Sequence, residues 1–443
     1  MNNVFKQIIF WILKTAAKIQ LLKIKPVIIG VGGSSGKTSL SSVITVILKE
    51  KYRVKNSSGK NSQTGIPLSI LDIDPGNYTP IDWIRIVLEC PLKLLINWQR
   101  YEYFIAEMGI DGPNEPNNMS YLLKILTPKI AVLTNITFEH SEYFENIVEN
   151  MDLKTKAEKV LKLTAKQENL LLSSVPSRGE VIVNLDDKFI RKNIESIVAN
   201  KTTVSIQNNK TDLYVSKVES SLSYFKTSIV YQDKNYLISI EKPLSEHYAA
   251  SFALALAVCL KVEISIKEAI SYLEKNFVLP PGRMSVFEGV KNTIIIDSSY
   301  NNATLPPILD ILDFLDKNAE KKRKVAIIGD MRELGFMTKK LHEAVAAKIV
   351  KTVDLAILVG PSMQKYVAPI LENKVKYKSY LTFTEVKKDI LDLINPGDLI
   401  LVKSSQNDLF LERMVEFLLE DKKNVKFLCR RSSIWDLKRA QTD

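Results

Sequence analysis

Residues 27–44 read Val27-Ile28-Ile29-Gly30-Val31-Gly32-Gly33-Ser34-Ser35-Gly36-Lys37-Thr38-Ser39-Leu40-Ser41-Ser42-Val43-Ile44. An apolar run, a glycine-rich turn and a helix-compatible run in that order predict strand, loop and helix. Successive backbone N–H groups in such a loop wrap an anionic phosphate, and the helix N-terminus adds its positive end. Lys37 is then within reach of the β- and γ-phosphates of ATP, and the Thr38 hydroxyl takes a place on Mg2+. The strict GxxxxGK[ST] spacing asks for Gly at position 31, where the chain has Val, so the loop is a variant. A turn that merely joined strand to helix would not require Gly-Lys-Thr at the helix start.

Further apolar runs alternate with helical stretches, which predicts an α/β fold with a mainly parallel sheet. Tyr103-Phe104-Ile105-Ala106 runs into Glu107-Met108-Gly109, and Ile130-Ala131-Val132-Leu133 into Thr134-Asn135-Ile136-Thr137, with His140 just beyond. Ligands of such sheets collect at the carboxyl ends of the strands, where Gly30, Glu107 and the stretch Asn135–His140 fall. Glu107 and His140 are therefore candidate Mg2+ ligands beside Thr38, with a solvated glutamate and a capping histidine as the plain alternatives. Residues 81–98 are a second apolar stretch, either an amphipathic surface helix or a lid, broken at Pro91. Residues 229–231 and 236–238 flank Asp233-Lys234-Asn235 as an antiparallel hairpin. Pro280-Pro281-Gly282-Arg283 reads as a linker. After it, four strand-then-loop units beginning at Thr293, Lys324, Leu355 and Leu399 predict a Rossmann-like domain. The expected organisation is a basic amphipathic helix over 1–25, a central ATP-binding domain over 26–284 and a C-terminal Rossmann-like domain over 285–443.

The 443 residues carry 61 Lys and Arg against 50 Asp and Glu, a net charge of +11 that suits acidic partners such as nucleotides or anionic lipid. No RNA- or DNA-binding signature is present, so nucleic acid is not an expected partner. Cys90, Cys259 and Cys429 form no CxxC pair, which argues against a disulfide framework or zinc ribbon and fits a reducing, cytoplasmic compartment. Residues 4–24 are largely apolar, but Lys6, Lys14, Lys18 and Lys23 interrupt them, so no uninterrupted membrane-spanning run exists. Gln7, Lys14, Lys18 and Lys25 share one helical stripe, and Phe5, Ile8, Ile9, Ile12, Ala16 and Ile19 lie off it. Such a helix suits the inner face of an anionic membrane and the protein's own surface equally well. No small-residue cleavage site precedes residue 27, and secretion would put an ATP site outside the cell, which disfavours a signal peptide.

Together these segments resemble the Mur ligase superfamily, ATP-dependent amide-bond-forming ligases of peptidoglycan precursor synthesis. The nearest likeness is to its MurF-type branch, which adds D-alanyl-D-alanine to a UDP-N-acetylmuramoyl-tripeptide. Gly33-Ser34-Ser35-Gly36-Lys37-Thr38 looks like the family phosphate loop, and Asn61 with Gly65-Ile66-Pro67-Leu68 like its substrate loop. Glu107-Met108-Gly109 and Thr134-Asn135-Ile136-Thr137-Phe138-Glu139-His140 are similar to the two Mg2+ segments. Lys156-Ala157-Glu158 resembles the segment whose lysine is carbamylated, with Lys154 as the alternative position. A carbamate would turn that cation into an anion able to hold a second Mg2+. Val183-Asn184-Leu185-Asp186-Asp187, Glu246-His247 and Pro281-Gly282-Arg283-Met284 continue the likeness. Asp297-Ser298-Ser299-Tyr300-Asn301, Gly329-Asp330-Met331-Arg332-Glu333-Leu334-Gly335, His342 and Leu401-Val402-Lys403-Ser404-Ser405 complete it.

The resemblance implies a two-step reaction in which a substrate carboxylate attacks the γ-phosphate of ATP and an amine then displaces phosphate from the acyl phosphate. Lys37, His140 and Lys156 are the implied catalytic residues. Gly33, Ser34, Ser35, Gly36, Lys37, Thr38 and Ser39 would bind the nucleotide with Asn184, Arg283, Asp297 and Asn301. Thr38, Glu107, His140 and Lys156 would hold two Mg2+ ions. Closure of the C-terminal domain, carrying Asp297, Asn301 and Lys403, would complete the site. The family's second Asp after Asp297 is replaced by Ser298, and a helical Asn by Ser251. MurF-type members hold their UDP end with a domain ahead of the phosphate loop, where this sequence has 29 residues, so that module is expected to be missing. The expected partners are a small-molecule or lipid-linked muramyl peptide, an amine donor and, through residues 1–25, a membrane surface. Competing readings are a ligase on another carboxylate, a folylpolyglutamate-synthase-like enzyme and a non-catalytic membrane-associated nucleotide-binding protein.

Overall fold

The computed structural model describes residues 3–57, 59–139, 141–148, 151–300, 304–405 and 409–440; His140 and Asn301 lie outside the described residues. The chain divides into two compact units. The first comprises Met1–Lys217, Thr227–Ile238 and Tyr248–Phe277, and the second Val218–Lys226, Ser239–His247 and Val278–Asp443.

The first unit opens with α1 (Asn3–Ile24), β1 (Val27–Gly32), α2 (Lys37–Leu48), β2 (Val54–Asn56), α3 (Gly65–Leu71) and α4 (Pro80–Ile96). It continues with β3 (Tyr103–Glu107), α5 (Met119–Leu123), β4 (Ile130–Leu133), α6 (Leu153–Ser173), β5 (Glu180–Asn184) and α7 (Lys188–Asn193). Then come β6 (Asn200–Ser205), β7 (Leu213–Ser220), β8 (Phe225–Tyr231), β9 (Lys234–Ile240), α8 (Tyr248–Leu260) and α9 (Ile266–Asn276). The nine strands form one sheet in the order β2-β3-β1-β4-β5-β6-β7-β8-β9. Its pairs from β2 to β7 are parallel, and β1, β3, β4 and β5 at its centre are the continuous apolar runs expected of strands covered on both faces. The hairpin expected near residue 233 is present: Gln232 and Asp233 join β8 to β9 with φ of 48° and 59°, the left-handed pair that matches strand twist.

One expectation needs correction. The break at Pro91 does not occur, because α4 runs unbroken through it. Pro91 cannot donate a helical hydrogen bond. However, a Thr79–Asp82 capping box fixes the helix start, and Ile86 and Cys90 share a buried cluster with Ile9, Leu13 and Ala16 of α1. Packing therefore outweighs propensity here. In α1, the buried residues are Ile9, Leu13, Ala16, Ala17, Gln20 and Leu21, so one face packs on the protein itself. Ile8 and Ile19, which like Ile9 lie off the lysine stripe, are 49% and 47% exposed. No helix among the described residues is long and apolar enough to cross a membrane.

The second unit contains β10 (Ser285–Gly289), β11 (Thr293–Ser298), α10 (Leu305–Asn318), β12 (Lys324–Gly329), α11 (Thr338–Thr352) and β13 (Leu355–Val359). It ends with α12 (Ala368–Leu371), β14 (Lys376–Tyr380), α13 (Phe383–Leu393), β15 (Leu399–Lys403), α14 (Glu412–Leu418) and α15 (Ser433–Ala440). Its sheet order is β10-β11-β15-β12-β13-β14, parallel except for the edge strand β10. This is the expected Rossmann-like layout. Much of the Gly329–Gly335 string is scaffolding within it. The Asp330 carboxylate accepts the N–H groups of Ser362 and Met363 at 3.0 and 2.7 Å. The Met331 N–H donates to His342 Nε2 at 3.2 Å, while Nδ1 lies 2.7 Å from Thr338 O. Burial pushes the His342 pKa down, so a neutral ring with a proton on Nδ1 satisfies both bonds.

Candidate active site

Val31 of β1 lies opposite Glu107 of β3, and Gly32 opposite Leu133 of β4. This register brings the phosphate loop, Glu107 and the 134–137 loop to the carboxyl ends of three adjacent strands. Gly33 has a φ of 115°, and a Cβ there would stand 2.2 Å from Thr134 Oγ1, so only glycine fits. The 134–137 loop clamps its neighbour. Thr134 Oγ1 donates to Ser35 O at 2.7 Å, Ser34 N–H to Asn135 O at 2.8 Å, and Ser35 N–H to Asn135 Oδ1 at 3.1 Å. Behind the clamp, Asn184 Nδ2 donates to Thr134 O at 3.0 Å, and Asp187 Oδ2 accepts the Ile136 N–H at 2.8 Å. Asn184, expected at the nucleotide, thus holds the backbone that shapes the loop.

Lys37 begins α2 and folds back over the loop, donating to Gly33 O at 2.6 Å and Ser34 O at 2.9 Å, with Glu139 Oε2 at 3.3 Å. Burial alone would lower its pKa, but the carboxylates of Glu139, Glu168 and Glu107 outweigh that and hold it above the ordinary value. Lys37 is therefore a fixed cation at neutral pH. Thr38 Oγ1 donates to Glu107 Oε1 at 2.9 Å, whereas Glu107 Oε2 is buried without a hydrogen-bond partner. An orphaned carboxylate oxygen beside a threonine hydroxyl suits a hard divalent cation. Mg2+ on nucleotide phosphates needs only one or two protein carboxylates. Among the described residues no three His, Cys, Asp or Glu gather as a metal cluster.

The structure thus brings together Gly33, Ser34, Ser35, Gly36, Lys37, Thr38, Glu107 and Asn184, and buries Ser39 in the first turn of α2. Lys156 sits half-buried in the first turn of α6, and Lys154 is exposed. Twelve residues further along the helix, about 18 Å by helical rise, Glu168 Oε2 accepts the Gly33 N–H at 2.9 Å. Sequence reading missed both Glu168 and the role of Glu139. The only trace of Glu168 is an acid two residues before the apolar run Leu170-Leu171-Leu172.

Arg283 and Asp297 belong to the second unit. Asp297 is fully buried; Oδ1 accepts the Ser299 N–H and hydroxyl at 3.0 and 2.6 Å, and Oδ2 has no hydrogen-bond partner. Burial pushes its pKa up to about 6 despite the Ser299 bonds. Burial, with Arg283 and Arg430 nearby, pushes Lys403 down to about 7. Arg283 itself stacks 5.6 Å from the Tyr300 ring.

The profile of the Mur ligase middle domain matches residues 31–259, and that of the Mur ligase, glutamate ligase domain matches 282–406. The UDP-N-acetylmuramoyl-tripeptide–D-alanyl-D-alanine ligase of Rickettsia prowazekii is 26% identical over 396 residues, spanning 88% of this chain and 77% of that one. Its namesake in Bacillus subtilis is 24% identical, spanning 92% and 79%. The solved MurF ligase from Thermotoga maritima in complex with ADP has a TM-score of 0.72 at 20% identity, covering 94% of this chain and 83% of that one. That last likeness is one of fold. None of these matches favours a folylpolyglutamate-type or non-catalytic reading.

Proposed function

This chain belongs to the Mur ligase family of ATP-dependent ligases, and on that premise we propose that it joins D-alanyl-D-alanine to the terminal carboxylate of a UDP-N-acetylmuramoyl-tripeptide in peptidoglycan precursor synthesis. The observation that carries this reading is the Thr38–Glu107 pair, with its orphaned Oε2, next to a charged Lys37 in a clamped phosphate loop. The peptide carboxylate attacks the γ-phosphorus of ATP, ADP departs and an acyl phosphate forms. The amine of the dipeptide then attacks the acyl carbon, loses a proton and expels inorganic phosphate. Little covalent chemistry falls to the protein, so positioning and charge decide the rate.

Lys37 faces the charge that builds on the departing β-phosphate oxygens, and the rigid loop supplies N–H groups without reorganisation. Thr38 and Glu107 would hold Mg2+, which neutralises phosphate oxygens when bound. His140 and a carbamylated Lys156 extend that ligand set as proposals drawn from the resemblance, as do Arg283, Asp297 and Asn301 for the nucleotide. The test is ADP release with UDP-N-acetylmuramoyl-tripeptide and D-alanyl-D-alanine supplied singly and together. Turnover that needs both and vanishes in Lys37→Ala supports the reading. Turnover indifferent to either substrate, or surviving Lys37→Ala, overturns it.

A further inference from the structure

α1 and α4 lie side by side in the first unit and point the same way. Lys23 Nζ, near the end of α1, donates to Leu94 O and Asn97 O at the end of α4, both at 2.8 Å, and sits 3.7 Å above the Trp98 ring. Their inner faces meet in the cluster that contains Ile9, Leu13, Ile86 and Cys90. Their outer faces are bare. Val4, Ile8, Trp11, Ile19 and Leu22 stand exposed on α1. Ile81, Ile84, Leu88, Leu92 and Leu95 do so on α4, at the three- and four-residue steps of one helical stripe. About half of the large apolar side chains exposed among the described residues belong to these two helices and Trp98. A contiguous apolar face of this kind marks an interaction surface.

Charge selects what covers it. The first acidic residue in the chain is Glu50, so Lys6, Lys14 and Lys18 of α1 meet no carboxylate on their own helix. On α4, Asp82 and Glu89 both pair with Arg85. Trp11 on α1 and Trp98 just past α4 are 62% and 66% exposed, and indoles favour the boundary between headgroups and acyl chains. Lysine stems can lie along an apolar face while their ammonium groups reach lipid phosphates. A second copy of this face would set lysine against lysine, which opposes a symmetric dimer.

We propose that the outer faces of α1 and α4 together form a platform that lies in the plane of an anionic lipid bilayer, with the apolar stripes immersed and the lysines at phosphate level. The platform stands whichever substrates the ligase uses. Deleting α1 would not test it, because Ile9, Leu13 and Ala17 are core residues. The informative experiment floats the full chain on a density gradient with vesicles of phosphatidylcholine alone or enriched in phosphatidylglycerol. Co-flotation is expected with the anionic vesicles, about tenfold weaker with neutral ones, and weakened by salt. The double substitution Leu88→Glu and Leu92→Glu, at exposed positions, should reduce it by about tenfold with circular dichroism and ADP release unchanged. Failure to float with either vesicle, equal flotation with both, or flotation indifferent to the double substitution overturns the proposal. So does a dimer in sedimentation that the double substitution dissociates, since a second copy would then cover the face.

Discussion

Glu168, in the penultimate turn of α6, accepts the Gly33 N–H through Oε2 at 2.9 Å, tying the phosphate loop to a helix 135 residues further along the chain. Glu168 is buried and is one of three carboxylates that hold the Lys37 pKa up. It therefore serves two ends, fixing the loop backbone and keeping its cation charged before any nucleotide arrives.

Replacing Glu168 by Leu should leave the Gly33 N–H without its acceptor and lower the unfolding free energy by about 1–3 kcal/mol. Glu168→Gln retains an amide oxygen and should lose less. Urea denaturation of the two variants checks the order, and nucleotide titration should show weaker ATP binding in Glu168→Leu. Equal stability of Glu168→Leu and the parent would remove Glu168 from the loop's support.

Glu107→Gln tests the divalent-cation role of the orphaned Oε2. An amide can still accept from Thr38 through its oxygen but offers no charge to a hard cation. The Mg2+ concentration for half-maximal ADP release should rise by about 10–100-fold, with the melting temperature close to that of the parent. An unchanged Mg2+ dependence would leave Glu107 as a partner of Thr38 only.

How much of this was legible follows from where the interactions lie. The phosphate loop could be read from residues 27–44 because strand, turn and helix start are all local signals there. The strand ends at Glu107 and Thr134 were readable because buried parallel strands leave continuous apolar runs. Glu168 was not, since nothing near it in sequence says which backbone N–H it meets. Pro91 misled because its local cost is real, while the packing of Ile86 and Cys90 that offsets it comes from α1. The helical projection of α1 set Ile8 and Ile9 alike off the lysine stripe, because a projection locates apolar residues, not the neighbour that covers them.

The pKa of Asp297 gives a signed pH dependence. Its value in the fold, about 6, stands above the ordinary 3.8, so the folded state holds a proton that the unfolded chain has lost between those values. Stability conferred by the protonated group is present at low pH and is lost as pH rises through about 6. The parent should therefore lose about 3 kcal/mol relative to Asp297→Asn between about pH 4 and 6. Lys403 has the opposite sign. Its pKa falls from 10.5 to about 7, so stability relative to Lys403→Met should rise with pH above 7. Denaturant midpoints across the two windows measure both slopes, and a flat difference curve in either window would contradict the corresponding assignment.

The Arg430–Glu412 pair separates a buried charge from the contacts around it. Arg430 Nη1 donates to Glu412 Oε2 at 2.7 Å with both side chains wholly buried. The guanidinium lies 4.9 and 5.4 Å from the Tyr300 and Phe410 rings, while its Nε and Nη2 have no hydrogen-bond partner. Arg430→Met strips Glu412 of its closest cation and should cost about 3–5 kcal/mol. Arg439, 3.6 Å from Glu412 Oε1, places the loss toward the lower end of that range. Glu412→Leu alone should be comparably damaging, because it takes the carboxylate from Nη1 of a buried guanidinium whose Nε and Nη2 already lack partners. The double variant removes both charges and should cost no more than either single substitution, about 3 kcal/mol, giving a coupling energy of about 3 kcal/mol in a denaturation cycle. Additive losses would mean that each residue acts through its packing, Arg430 against the Tyr300 and Phe410 rings, and not through the pair.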